Sequence, residues 1–196
     1  MTTELISQVS QDDELDDVFY GQIVFIGARW FVIIGAMFLT LWHAESVKAV
    51  KVNLAPLAFL IAANFFLHAR YLMDLPANAT LLKLASALDL VIITLIVLFM
   101  NPGGLTGINN PFFVFYYPVV LAFSLVFTRK RTLVYTAAGI LMYATVCLLP
   151  APGIHLNGDE ELFGIRMVTL LGTALLGTMY WRIQRARRAA AAASSL

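Results

Sequence analysis

Six long apolar stretches fill most of this 196-residue chain, and short polar segments separate them. They cover residues 22–43, 54–72, 82–100, 112–128, 132–149 and 162–181. Each approaches the roughly 20 residues that a helix needs to cross a hydrocarbon core about 30 Å thick. Inside lipid, only helices and closed barrels satisfy every backbone donor and acceptor, and these stretches lack the alternation of barrel strands. The sequence therefore predicts an all-α polytopic membrane bundle of six transmembrane helices.

The composition agrees with this class of protein. Charged residues make up 13% of the chain, and its mean hydropathy is +0.81. A water-soluble globule of this size needs a more polar surface than that composition supplies. We expect three parts: an acidic cytoplasmic segment (1–21), a transmembrane domain (22–181) and a basic, Ala-rich exit helix (182–196). The expected surrounding is the lipid bilayer, and no nucleic-acid partner is expected.

Positive charges favour alternate connecting segments, which predicts the orientation. The two sides of the predicted membrane differ in their positive charges, and the minority side carries Lys48 and Lys51 in its connecting segments. The majority side carries Arg70, Lys83, Arg129, Lys130, Arg131, Arg182, Arg185, Arg187 and Arg188. Because Lys and Arg concentrate in cytoplasmic loops, both termini are predicted to be cytoplasmic. The expected location is the bacterial inner (cytoplasmic) membrane, crossed several times.

Two ionisable side chains fall deep in apolar stretches. Arg29 lies about two turns into the first stretch, and Asp89 lies about two turns into the third, both from the cytoplasmic end. A charge without a partner is costly in lipid, so an Arg29–Asp89 ion pair is the simplest way to satisfy both. In the alternative, Arg29 extends to the headgroups and Asp89 is protonated.

The sequence offers few groups for metal or redox chemistry. The single cysteine, Cys147, cannot form an internal disulfide, and His43 and His68 are predicted on opposite sides of the membrane. No metal site is therefore expected. Arg166 lies near acidic residues 159–161, so either it pairs locally or it holds an anionic or carbonyl ligand.

The outer segment 101–111 differs from the other connections, since three glycines and two prolines favour tight turns. Amides are followed directly by aromatic rings, a combination suited to a flat amphipathic ligand. The competing interpretation is a tight loop followed by an interfacial aromatic belt. The candidate ligand-binding residues are Asn109, Asn110, Pro111, Phe112, Phe113, Tyr116 and Tyr117.

This region resembles the membrane modules of bacterial sensor histidine kinases, both the RegB/PrrB redox-sensing group and the PilS-like group. The resemblance rests on Arg29-Trp30, Asp89, Gly103-Gly104 and Asn110-Pro111-Phe112, in that order. It implies a six-helix sensor whose loop between spans three and four contacts a quinone. Residues 105–109 separate the glycine pair from Asn110, which is more than the two residues of the RegB-type loop.

The last apolar stretch runs into Arg- and Ala-rich sequence without glycine or proline, so its helix is predicted to continue into the cytoplasm. Such a helix can couple the membrane module to an output domain beyond Leu196; the alternative is a basic tail held by anionic lipid. Thr169, Thr173 and Gly177 give this helix a small-residue face. That face serves either homodimerisation, which histidine kinases require, or packing within one subunit.

No nucleotide-binding or metal-ligand motif occurs, so no enzymatic activity is expected of this chain. A longer parent protein is expected to be a histidine kinase or a cyclase. The first functional hypothesis is a sensory input domain that binds a lipophilic ligand, with a quinone as the candidate cofactor. The second is the six-helix substrate-binding membrane subunit of a vitamin or other small-molecule transporter.

Overall fold

The computed structural model describes residues 2–43, 46–73, 75, 79–100, 107–148 and 159–194. Within these residues the chain is helical and contains no strand, so the predicted all-α class is confirmed. The α-helices are α1 (Thr2–Trp42), α2 (Val47–Leu72), α3 (Ala79–Phe99), α4 (Tyr116–Val126), α5 (Arg129–Leu148) and α6 (Asp159–Ser194). Two 3-10 helices, Gly107–Asn109 and Pro111–Phe115, lead into α4.

Five of the six helices are long and apolar enough to cross a membrane, which is consistent with a multi-pass membrane protein. The exception is the fourth, where the apolar helix Pro111–Val126 falls short of that length. Its first five residues are 3-10 helix, and the next 11 form α4. Because a 3-10 helix rises about 2.0 Å per residue against about 1.5 Å, the two together extend roughly 26 Å.

The short α4 occupies the centre of the bundle, where it packs against α1, α3, α5 and α6. Its residues Tyr116, Val119, Val120 and Phe123 are almost completely buried. The Phe123 ring lies 6.0 Å from the ring of Phe25 on α1, measured between centroids. A helix that is apolar on all sides is stable where protein surrounds it on all sides. The other helices of the bundle cover most of α4, although Leu121 is 42% exposed.

Contacts along α4 give the directions of its neighbours. Gly21 of α1 faces Val126, whereas Gly35 faces Phe115, so α1 runs antiparallel to α4. In contrast, α6 runs parallel to α4, because the Tyr117 hydroxyl bonds Thr169 and the later residue Ser124 faces Gly177. Helices α1, α3 and α5 run in one direction and α2, α4 and α6 in the other. The Thr2 end of α1 and the Ser194 end of α6 therefore lie on the same side of the bundle.

Helices α1 and α6 are much longer than the bundle needs. With 41 and 36 residues they extend about 60 Å and 54 Å, against about 30 Å of hydrocarbon core. Residues 2–21 of the acidic segment and the first apolar stretch up to Trp42 belong to one helix, as do the last apolar stretch and the Arg- and Ala-rich residues up to Ser194.

The small-residue face of α6 packs on α4 within one chain. Thr169 shares a 2.6 Å hydrogen bond with the Tyr117 hydroxyl. Gly177 lies so close to Ser124 that a Cβ atom at this position would overlap the serine hydroxyl. Of the two uses left open for this face, the structure therefore shows packing inside the subunit. Small residues allow this close approach of two helices, which favourable van der Waals contact then stabilises.

We expect Gly177→Ala to lower the free energy of unfolding by about 1–3 kcal/mol, because the new methyl group must displace Ser124. Gly172→Ala on the same helix is the matched control, since its Cβ would meet no atom within 4 Å. That control should be neutral or slightly stabilising, because alanine is the better helix former. Thermal unfolding in detergent measures both variants. Ser124→Gly should restore stability to Gly177→Ala, and equal effects of the two glycine variants would contradict the close contact.

Candidate functional site

A buried ion pair joins α1 to α3. The Nε atom of Arg29 donates to both carboxylate oxygens of Asp89, at 2.8 Å and 3.0 Å. The Nη2 atom of Arg29 also donates to the backbone carbonyl of Ala85, at 3.1 Å. Both charged side chains are only 2% exposed. The structure thus brings together the two residues that the sequence analysis paired, and in this arrangement Arg29 does not extend to a surface.

The geometry of this pair explains how two charges are accommodated inside an apolar bundle. Burying either charge alone is strongly unfavourable, but a close pair with further hydrogen bonds offsets most of the desolvation cost. Ala85 lies one turn before Asp89 on α3, and its carbonyl accepts the second bond of the guanidinium. The guanidinium is therefore fixed at two positions along that helix. This arrangement sets both the rotation and the height of α1 against α3.

We expect Arg29→Met and Asp89→Leu each to lower the free energy of unfolding by about 3–5 kcal/mol, because each leaves one buried charge without its partner. The double variant removes both charges, so its loss should be much smaller than the sum of the single losses. Unfolding measurements on all four proteins give the coupling energy directly. Additive losses would show that the two side chains do not stabilise each other.

Asn110 uses its side-chain amide inside the protein. The Nδ2 atom donates to the carbonyls of Val97 and Met100 at the end of α3, at 2.8 Å and 2.7 Å. The Oδ1 atom accepts a 2.9 Å bond from the backbone of Phe112, which caps the 3-10 helix that Pro111 begins. Since both N–H donors are taken, Asn110 fixes the connection between α3 and α4. It has little hydrogen-bonding capacity left for a ligand.

We expect Asn110→Ala to destabilise the protein by roughly 2–4 kcal/mol, because two carbonyls and one backbone N–H lose their partner. Asn110→Asp should be more harmful, since a carboxylate cannot donate to the two carbonyls that face it. The neighbouring Asn109 is exposed, so Asn109→Ala is the matched control and should change stability little. Thermal unfolding compares the three variants. A neutral Asn110→Ala would contradict the capping role.

The aromatic residues after Asn110 fill the space where the sequence analysis expected a pocket. Phe112, Phe113 and Tyr116 are each at most 4% exposed. Phe113 packs on Tyr143 of α5, with ring centroids 4.5 Å apart. The Tyr116 hydroxyl shares a 2.7 Å hydrogen bond with Thr94 of α3. These rings therefore form part of the core that joins α3, α4 and α5.

Arg166 lies against this aromatic core. Its guanidinium carbon is 4.6 Å from the centre of the Phe113 ring, within the range of a cation–π interaction. It also donates to the hydroxyl of Tyr143. In the part of the chain that the structure describes, Arg166 is thus held by Tyr143 and Phe113, and the ion pair shown is Arg29–Asp89. Tyr143 was not among the predicted site residues, because nothing in the sequence of α5 distinguishes it from a lipid-facing ring.

An open groove of about 460 Å³ runs between α1, α4 and α6. Tyr117 is the one member of the predicted set that lines it. The other lining residues are Val24, Ala28, Phe31, Pro118, Leu121, Ala122, Leu125 and Thr173. The walls are nearly all apolar, and the hydroxyl groups belong to Tyr117 and Thr173. This groove can accept a hydrophobic chain or flat ring together with a few hydrogen-bonding atoms.

The predicted ligand-binding set is therefore divided in the structure. Asn110, Phe112, Phe113 and Tyr116 are core residues, Asn109 is exposed, and Pro111 is half-buried at the start of the 3-10 helix. Residues 101–106, which include the glycine pair of the resemblance, lie outside the described residues.

In comparisons with known proteins, no family model, curated protein or solved structure matched the chain. Among the residues that the structure describes, no group of three His, Cys, Asp or Glu side chains is arranged to hold a metal ion.

Proposed function

We propose that this chain is the sensory input domain of a membrane signal-transduction protein, a sensor histidine kinase of a two-component system. In this proposal it crosses the bacterial inner membrane six times, with both termini cytoplasmic. It binds a lipophilic ligand, a quinone, in the groove between α1, α4 and α6. Helix α6 then relays the occupancy of the groove to an output domain that follows Leu196.

The observation that carries the proposal is the double role of α6. Thr173 of this helix lines the groove, and the same unbroken helix continues to Ser194. A rotation or shift of α6 at the groove is therefore transmitted along a rigid element to the far side of the bundle. Shifts of about 1–2 Å between helices are typical of such transitions.

The chemistry of the groove favours a lipophilic ligand with a polar edge. Its apolar walls suit a hydrocarbon or isoprenoid chain. When Thr169 donates to Tyr117, the hydroxyl of Tyr117 is free to donate to a carbonyl oxygen at the end of the groove. In the proposed orientation, this end lies toward the outer face, because α4 begins on that side. A ligand that binds better with α6 in one position than in another would shift the population of the two positions.

The proposed six crossings are compatible with the shortness of α4. Lipid thickness constrains helices that face lipid, whereas most of α4 packs against four other helices. The exposed basic residues at the start of α5, Arg129, Lys130 and Arg131, support the cytoplasmic assignment of that side. Homodimerisation, which a kinase requires, would use a surface other than the small-residue face of α6.

We expect a decyl-substituted benzoquinone to shift the distance between spin labels at Lys130 and Ala186 by about 1–2 Å. Both positions are exposed, one at the start of α5 and the other on the projecting part of α6. Double electron–electron resonance in nanodiscs, with Cys147 replaced by alanine, measures the distance. Thr173→Trp fills the groove, so this variant should lose both the distance shift and the thermal stabilisation by the quinone.

The matched control is Leu176→Trp on the same helix, because Leu176 is 70% exposed and does not line the groove. This variant should respond to the quinone as the unsubstituted protein does. Binding without a distance change would contradict the sensor and favour a carrier or storage role. An unsubstituted protein that neither binds the quinone nor gains stability from it would refute the ligand assignment.

A further inference from the structure

A fully buried asparagine on α2 has no hydrogen-bond partner among the described residues. Asn64 is 0% exposed, and neither its Oδ1 nor its Nδ2 atom is bonded. An amide with two donors and an acceptor unpaired in an apolar interior is strongly unfavourable. Asn110, which is also fully buried, has both its N–H groups and its oxygen bonded. The side-chain amide of Asn64 therefore needs a bound polar molecule as its hydrogen-bond partner, whereas that of Asn110 does not.

The position of Asn64 follows from the packed cluster of Ile26, Leu67 and Ala85, one residue from each of α1, α2 and α3. Arg29 follows Ile26 by three residues, Asp89 follows Ala85 by four, and Asn64 precedes Leu67 by three. Because α2 runs opposite to α1 and α3, all three lie about one turn from the cluster in the same direction. Asn64 therefore belongs to the layer of the bundle that holds the ion pair.

Two further contacts agree with this level. The Trp30 and Phe65 rings pack edge to face with centroids 5.5 Å apart, and these residues adjoin Arg29 and Asn64 in the chain. Seven residues before Arg29, the Gln22 amide donates a 2.8 Å bond to the carbonyl of Leu67, which fixes α1 against α2.

We propose that Asn64, Arg29 and Asp89 form an internal hydration site, in which water joins the asparagine amide to the ion pair. The hydrogen-bonding groups of this layer require a bound molecule that both donates and accepts hydrogen bonds. Asn64 offers two donors and an acceptor, none of them bonded among the described residues. The carboxylate of Asp89 has lone pairs beyond those used by Nε.

The charges select the class of guest. The guanidinium of Arg29 repels a cation, and the carboxylate of Asp89 repels an anion, so a neutral polar molecule is favoured. Water fits because a buried water molecule typically makes about three hydrogen bonds to polar groups that otherwise lack partners. This site lies on the α1–α2–α3 side and is separate from the groove. It therefore does not depend on the proposed sensor function.

Water-edited solid-state NMR in lipid bilayers tests the proposal directly. Magnetisation transfer from water to the side-chain amide of Asn64 should be several times faster than transfer to Asn110, whose amide is equally buried but bonded within the protein. The rate at Asn64 should not change when choline replaces Na⁺. Transfer to Asn64 as slow as transfer to Asn110 would show that the site is dry and would overturn the proposal. A transfer rate that depends on Na⁺ would contradict the assignment of a neutral molecule to the site.

A variant pair gives an independent readout. We expect Asn64→Leu to lower the melting temperature by about 2–4 °C, because it displaces water that serves the ion pair. In the Arg29→Met/Asp89→Leu background no charge needs the water, so Asn64→Leu should raise the melting temperature there. The control is Thr136→Val, which removes a different buried polar group without a described partner, the Thr136 hydroxyl. This substitution should change the melting temperature equally in both backgrounds. A rise in both backgrounds for Asn64→Leu would overturn the proposal.

Discussion

The burial of the short helix α4 is the constraint on which the rest of the structure depends. A helix that is apolar on every side, yet shorter than the hydrocarbon core, is stable only when other helices enclose it. Helices α1, α3, α5 and α6 pack against α4 and cover most of it. α1 and α5 meet it through aromatic rings, α3 through the hydrogen bond between Thr94 and Tyr116, and α6 through Gly177. The groove exists because α1 and α6 contact neighbouring sides of α4 and leave its surface open between them.

The helices were largely predictable from the sequence because apolar length and helical geometry are local properties. The ion pair could also be anticipated, since two charges at similar depth in apolar helices have few ways to be satisfied. The shortness of the fourth helix could not be predicted, because composition does not reveal that Pro111 starts a 3-10 helix and that α4 begins only at Tyr116. Gly177 could be recognised as a small contact residue, but its partner Ser124 depends on which helices are neighbours.

The candidate site was predicted less well, for a physical reason. Aromatic rings and amides suit both a ligand pocket and a packed core, and only three-dimensional neighbours distinguish the two. Asn110 illustrates this, because its amide finds the carbonyls of Val97 and Met100, which end the preceding helix. The groove instead combines small and apolar residues of α1 with Tyr117 and Thr173. Such residues carry no local signal of binding.

The two walls of the groove differ in how firmly they are held, and this difference gives the proposed signal a direction. On α1, Ala28 lines the groove, while the next residue, Arg29, is fixed to α3 through Asp89 and Ala85. The opposite wall, α6, is held against α4 by the Tyr117–Thr169 hydroxyl pair and by close packing at Gly177. Shifting α1 would separate two buried opposite charges, whereas shifting α6 requires the exchange of the Tyr117–Thr169 bond, the contacts of Arg166 with uncharged aromatic residues and van der Waals contacts. A ligand that widens the groove would therefore move α6, the helix that continues to Ser194.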